Sequence, residues 1–126
     1  MQLGNVSFWY EDMGGLPKPR PPMPADSTAD ICIIGAGYTG LWTAYYLKTH
    51  APNLNITILE SAFAGFGASG RNGGWLTGGF AWRHENYLKK GSIQDVKDLV
   101  RHMGSTVGEI MRVAKLEEID ADIIAT

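Results

Sequence analysis

Apolar and polar positions alternate along the chain in a way that sets out its elements in order. Ile31 to Ile34 is a continuous β-branched run, interrupted only by Cys32, as expected of an inner parallel strand buried on both faces. Cys32 is then a small buried hydrophobe. From about Tyr38, Leu41, Ala44, Tyr45 and Leu47 recur at helical spacing and form one apolar stripe. Ala51-Pro52 ends that helix near His50, because a proline disfavours helical backbone in the residue before it. Ile56 to Leu59 reads as a second strand. A strand–helix–strand unit this short implies parallel pairing with a right-handed crossover. Further on, Arg83 to Lys90 is long enough for a short helix. Ser92 then caps a long amphipathic helix, with Asp95 in its first turn. Ile93, Val96, Leu99, Val100, Met103, Val107, Ile110, Met111 and Ala114 mark its apolar face. Gly104 and Gly108 weaken this helix by roughly 1 kcal/mol each, while allowing a neighbour to approach closely. Ile119 to Ala125 reads as the opening of another strand.

The turn between the first strand and its helix carries the chemistry. It reads Gly35-Ala-Gly-Tyr-Thr-Gly40, and Glu60 closes the second strand about twenty residues after the last glycine. Gly35 allows a tight turn off the strand. Gly37 lets backbone N–H groups approach a pyrophosphate, and Gly40 lets helix and strand pack without a Cβ between them. The helix directs the positive end of its dipole at the phosphates, and the Glu60 carboxylate is placed for ribose hydroxyls. Three glycines in six positions are a weak signal alone. With strand, helix, second strand and acid in register, they favour a dinucleotide over a non-binding βαβ unit.

A second glycine-rich stretch, Gly65-Phe-Gly-Ala-Ser-Gly-Arg-Asn-Gly-Gly74, leads into Trp75 to Trp82. Its glycine density rules out a stable helix or a well-packed strand. By composition it is either a second contact surface for phosphates or a flat ring, or simply a surface loop. Residues 1–29 form an arm with an aromatic start, Val6 to Tyr10, and a proline-rich part, Pro17 to Pro24, expected in polyproline II. Such an arm can lie across the protein body or serve a proline-binding module, and the first is the commoner arrangement.

Bulk properties exclude several classes. The 126 residues suit one domain, with 44 % hydrophobic and 19 % charged positions, so the chain is globular. A net charge of −2 gives no electrostatic case for nucleic acid or an anionic membrane. One cysteine permits no internal disulfide. With neither a signal-peptide pattern nor a membrane-length apolar run, a cytoplasmic location is the expectation. His84 and His102 lack partners at metal-ligand spacing, and Met103 and Met111 suit a core. Glu117, Glu118, Asp120 and Asp122 read better as a solvated helix end than as a metal site.

Taken together, residues 35–44, Leu59-Glu60 and residues 65–74 resemble the N-terminus of FAD-dependent oxidoreductases of the D-amino-acid oxidase superfamily. The gamma-glutamylputrescine oxidase-like branch is the nearest in pattern, including its aromatic and proline-arginine leader. The resemblance implies an α/β fold: a Rossmann-like FAD-binding βαβ unit, then a glycine-rich loop and a long helix, incomplete relative to the full family fold. It implies that Gly35, Ala36, Gly37, Tyr38, Thr39 and Gly40 hold the FAD pyrophosphate, and that Glu60 with Ser61 holds the adenosine ribose. Gly67, Ala68, Ser69, Arg71, Asn72, Gly73 and Gly74 would lie along the diphosphate and toward the isoalloxazine. The implied reaction oxidises a C–N bond of an amine or amino acid. A hydride passes to the flavin, the imine hydrolyses, and dioxygen reoxidises the flavin to give peroxide. Family members are longer and carry a separate substrate domain. The expectation is therefore a fragment: an arm (1–29), the N-terminal part of the FAD domain (30–118) and the start of a missing substrate domain (119–126). Such a fragment is expected to be inactive alone, and no residue in it is assigned as the catalytic base. Two other readings remain open on the residues. An NAD-dependent dehydrogenase half-domain accounts for Gly35 to Glu60 but not for residues 65–74. A non-catalytic binding module would act through the arm or the long helix.

Overall fold

The computed structural model describes residues 7–79 and 83–124. The chain divides into two compact units, Met1–Gly73 and Gly74–Thr126. In the first, β1 (Ile31–Ile34) and β2 (Ile56–Leu59) pair in parallel, with Ile31 opposite Ile56 and Ile34 opposite Leu59. Between them runs α2 (Tyr38–His50), preceded in the chain by α1 (Phe8–Asp12). Asp30 and Asn55 lock the entrance to the sheet. The Asp30 N–H donates to the Asn55 carbonyl (2.9 Å), and the Asn55 N–H donates to Asp30 Oδ2 (2.7 Å). At the other end the Gly35 N–H extends the ladder to the Leu59 carbonyl (2.7 Å). The helix stops where Pro52 requires it, with Ala51 as its C-cap and the Ala51 N–H on the Leu47 carbonyl (2.8 Å).

Burial departs from expectation on β1. Ile31 and Ile33 are half-buried, whereas Cys32 and Ile34 are exposed, Ile34 by 88 %. Ile33 faces α2, since a Cβ on Gly40 would meet its Cγ2 at 3.3 Å. The alternate side chains point to the opposite face of the sheet, where Cys32 and Ile34 stand exposed although their partners Thr57 and Leu59 on β2 are half-buried. Cys32 is thus an exposed thiol, not a core hydrophobe. The single stripe expected on α2 is also not found. Ala44, Tyr45 and Leu47 are half-buried, but Leu41 is 43 % exposed. Trp42, Tyr45 and Tyr46 instead pack ring to ring around the helix, with centroids 5.3–5.7 Å apart. Apolar side chains at adjacent positions leave the helix without one distinct apolar face.

Among the described residues of this unit, Tyr10, Ala36, Gly40 and Phe63 are buried. Tyr10 comes from α1, so the aromatic start does pack. Its ring meets Phe63 edge-on at 5.5 Å, and Phe63 meets Phe66 in the same way at 5.4 Å. Val6 lies outside the described residues. The proline-rich part carries neither helix nor strand and is largely exposed.

The second unit holds α3 (Glu85–Leu88) and α4 (Ile93–Leu116). Ser92 and Asp95 form a complete capping box: the Ser92 hydroxyl accepts from the Asp95 N–H, and Asp95 Oδ2 accepts from the Ser92 N–H at 2.7 Å. Gly104 receives Gly78, where an added Cβ would stand 2.7 Å from the Gly104 Cα. At Gly108 an added Cβ meets nothing within 4 Å. Gly108→Ala should therefore raise stability by about 1 kcal/mol through helix propensity alone. A thermal midpoint at or below that of the parent would count against it. Beyond α4 the expected strand does not form over residues 119–124. Asp122 takes left-handed backbone (φ 42°), which breaks extended geometry within the expected strand, and Glu118 (φ 53°) does the same just before it. Ala125, like the Phe80 to Trp82 end of the tryptophan-flanked loop, lies outside the described residues. Among the described residues no helix is long and apolar enough to cross a membrane, and no three metal-ligating side chains converge.

Candidate cofactor-binding site

The β1–α2 turn is built around its glycines. Gly35 sits at φ 97°, in the left-handed region that disfavours side chains. Gly37 is the N-cap of α2 in extended conformation and supplies no capping side chain. The first-turn N–H groups of α2 thus have no acceptor from their own helix or its cap. Gly40 is buried where a Cβ would fall on the Gly35 carbonyl oxygen. Its absence lets the turn fold back over the helix. Tyr38 and Thr39 stand exposed in the first turn.

Glu60 closes the turn from the end of β2. Its Oε2 accepts from the Ala36 N–H (2.9 Å), and Oε1 accepts from the Ala62 N–H (3.1 Å) and the Ser61 hydroxyl (3.2 Å). These donors, the Ala36 N–H foremost and then that of Ala62, hold the Glu60 carboxyl below its ordinary range. A depressed folded-state pKa stabilises the fold above the unfolded value, about 4.3 for glutamate. That contribution is lost as pH falls through the folded value. Asp95 shares the same direction through its bonds to Ser92, so the parent chain alone does not isolate Glu60. The difference between parent and Glu60→Gln does. The expected result is a smaller loss of thermal midpoint between pH 7 and pH 4 in Glu60→Gln than in the parent. Parallel pH profiles would show that the carboxylate does not hold the turn.

The second glycine segment is tied to the first. The Gly65 N–H donates to the Ala36 carbonyl (2.9 Å), with Gly65 itself at φ 83°. Residues Ala68–Gly70 form one 3-10 turn, the regular piece that the glycine density left room for. From it the Ser69 hydroxyl accepts the Tyr38 N–H at 2.9 Å, directly above Gly37. Asn72 Nδ2 donates to the Ser69 carbonyl (2.7 Å) and to Tyr38 Oη (3.3 Å). Arg71 turns back on its own segment: Nε donates to the Phe66 carbonyl (2.9 Å), and the guanidinium lies 4.6 Å above the Phe66 ring. Gly67 and Gly73 are exposed, with open space where a Cβ would stand. Gly74, at φ 74°, opens the second unit.

The structure therefore brings Gly35, Ala36, Gly37, Tyr38, Glu60, Ser61, Ser69 and Asn72 together around the start of α2. Arg71 is directed elsewhere. Sequence reasoning missed α1, whose Ser7, Trp9 and Tyr10 side chains reach the carbonyls of Gly70, Asn72 and Gly65. The available signal was two aromatics with polar tips, the kind that seek a hydrogen-bond partner once packed.

The arrangement suits an anionic dinucleotide. It offers a helix N-terminus with open first-turn donors beyond Tyr38, a hydroxyl from the second glycine segment on the Tyr38 N–H, and a carboxylate at the neighbouring strand end. Comparison with known proteins agrees. Residues 30–124 match the family described as FAD dependent oxidoreductase (DAO). The chain is 33 % identical over 119 residues to gamma-glutamylputrescine oxidoreductase of Escherichia coli K12, covering 94 % of this chain and 27 % of that protein. It is 37 % identical over 86 residues to the probable oxidoreductase OrdL of Haemophilus influenzae, covering 68 % of this chain and 20 % of that one. A thiamine thiazole synthase of Schizosaccharomyces pombe is 46 % identical over 50 residues, 40 % of this chain and 14 % of that protein. No solved structure matches. The chain thus spans about a quarter of the first relative and a fifth of the second. On the match across residues 30–124, this chain belongs to the DAO family of FAD-dependent oxidoreductases.

Proposed function

We propose that this chain forms the grip on the ADP half of FAD in an enzyme that oxidises a C–N bond of an amine or amino acid. Gly35, Ala36, Gly37, Tyr38, Thr39 and Gly40 bind the pyrophosphate through the open donors of the α2 N-terminus. Glu60, flanked by Ser61, takes an adenosine ribose hydroxyl. Three of its roughly four lone-pair positions already accept hydrogen bonds, which leaves about one, on Oε2. The stretch of Gly67, Ala68, Ser69, Arg71, Asn72, Gly73 and Gly74 runs along the diphosphate toward the flavin ring. When bound, FAD supplies the acceptor for a hydride from the carbon beside the amine nitrogen, with dioxygen as the onward acceptor and water hydrolysing the imine. The role of these residues is to bind and orient, with no proton-transfer role.

One observation carries the reading: the Ser69 hydroxyl on the Tyr38 N–H, which joins the second glycine segment to the first at the helix N-terminus. An NAD-dependent half-domain gives that junction no purpose. The amine class is supported by the name of the Escherichia coli relative. Titration of the protein with FAD and with NAD, followed by flavin and nicotinamide fluorescence, tests both. FAD binding without NAD binding is the expected result. Tight NAD binding with no FAD uptake would replace the proposal with a dehydrogenase. Binding of neither would leave a non-catalytic module. In a longer protein that carries this chain as its FAD-binding part, peroxide release on adding an amine, and none on adding an alcohol, is the further expectation.

A further inference from the structure

The segment at residues 65–73 loses much conformational freedom on ordering, since four of its nine residues are glycine. Arg71 and Asn72 hold it in part from within, through the Phe66 and Ser69 carbonyls. Three of its other carbonyls accept hydrogen bonds from one short element some sixty residues earlier. Tyr10 Oη donates to the Gly65 carbonyl at 2.9 Å, the Ser7 hydroxyl to that of Gly70 at 2.6 Å, and Trp9 Nε1 to that of Asn72 at 2.8 Å. Ser7 uses both capacities of its hydroxyl, because it also accepts the Trp9 N–H as the N-cap of α1. Tyr10 is buried against Phe63. A Cβ on Gly70 would collide with the Tyr10 hydroxyl and the Gly65 carbonyl oxygen, so the two together require glycine at residue 70.

These contacts bracket the two polar side chains that reach α2. Ser69 precedes Gly70, and Asn72 carries the carbonyl that Trp9 holds. We propose that Ser7, Trp9 and Tyr10 are positioning residues for the cofactor. They fix residues 65–73 so that Ser69 and Asn72 meet the N-terminus of α2, and they set FAD affinity without touching FAD. The inference rests on the reading that the two glycine segments grip FAD together.

The test removes single donors, in the full protein: Tyr10→Phe and Ser7→Ala, which keep most of the bulk, and Trp9→Phe, which also loses one ring of the indole, with Ser7→Thr as the rescue of Ser7→Ala. FAD dissociation constants are measured by flavin fluorescence, and amide hydrogen exchange is followed in the FAD-free protein. Each donor loss should weaken FAD binding by roughly 3- to 10-fold, the usual worth of one neutral hydrogen bond. Ser7→Thr should restore it. Exchange should accelerate within residues 65–73 and stay unchanged in β1 and β2. Unchanged FAD affinity in all three variants would overturn the proposal. So would exchange that rises equally in β1 and β2, which marks α1 as general support for the fold. If the unsubstituted protein takes up no FAD, the site reading itself falls and the proposal with it.

Discussion

Gly40→Ala is expected to destabilise the β1–α2 unit by about 3 kcal/mol or more, the upper range for forcing a side chain into filled space. The sign is opposite to what helix propensity dictates. A glycine inside a helix ordinarily costs roughly 1 kcal/mol relative to alanine, and Gly108 in α4 is expected to obey that rule. Gly40 differs because its Cβ would lie on the Gly35 carbonyl oxygen and 3.3 Å from the Gly35 carbonyl carbon and from Ile33 Cγ2. Two of those atoms are backbone, and Gly35 is fixed by its left-handed conformation and by its bond to Leu59. No rotamer change relieves the contact, so the turn must open or the helix must lift off Ile33. A loss of this size is a large share of the 5–15 kcal/mol that holds a typical domain folded. Urea denaturation followed by far-UV circular dichroism measures it. A Gly40→Ala midpoint equal to the parent's would mean that the turn does not pack on the helix as described.

The contrast between Gly40 and Gly108 shows what was legible in the sequence. Strand, helix and strand could be read because a continuous apolar run, a glycine turn and Ala51-Pro52 each act over a few residues. The parallel pairing followed from the short crossover, and the Ser92 cap from Asp95 three residues on. Burial was harder. Ile31 to Ile34 looks the same whether one face or two are covered, and the answer depends on what packs from elsewhere. The α2 stripe failed because Trp42 and Tyr46 are as apolar as the positions assigned to the core. Residues 119–124 alternate well enough for a strand, but Glu118 and Asp122 adopt backbone that side-chain pattern does not encode. In the site, the placement of Glu60 beside the turn was readable from spacing. Its bond to the Ala36 N–H was not, nor was Ser69 on Tyr38, because both join residues more than twenty apart. The five-residue α1 is too short for any period to reveal it.

Gly37→Val separates binding from folding, and its expected effect on the cofactor is the larger. Gly37 adopts φ −87°, which any residue tolerates. The closest atom to an added Cβ is the Ser69 hydroxyl at 2.9 Å, followed by the Ser69 Cβ at 3.9 Å. That hydroxyl can rotate away by changing one torsion, so the cost to folding should stay within about 1 kcal/mol. The cost to FAD is different in kind. In the proposed binding mode, a valine at the helix N-cap stands where the pyrophosphate approaches the first-turn N–H groups. Losing two hydrogen bonds to a charged oxygen is worth about 3–6 kcal/mol, or at least a hundredfold in affinity. Ser69→Ala alone discriminates between the two causes. It removes the hydroxyl that the valine would displace, and its bond to the Tyr38 N–H, while leaving Gly37 open, so it should lower FAD affinity far less than Gly37→Val. If Ser69→Ala weakens FAD binding as much as Gly37→Val does, the loss comes from displacing Ser69, and the pyrophosphate does not pass over Gly37.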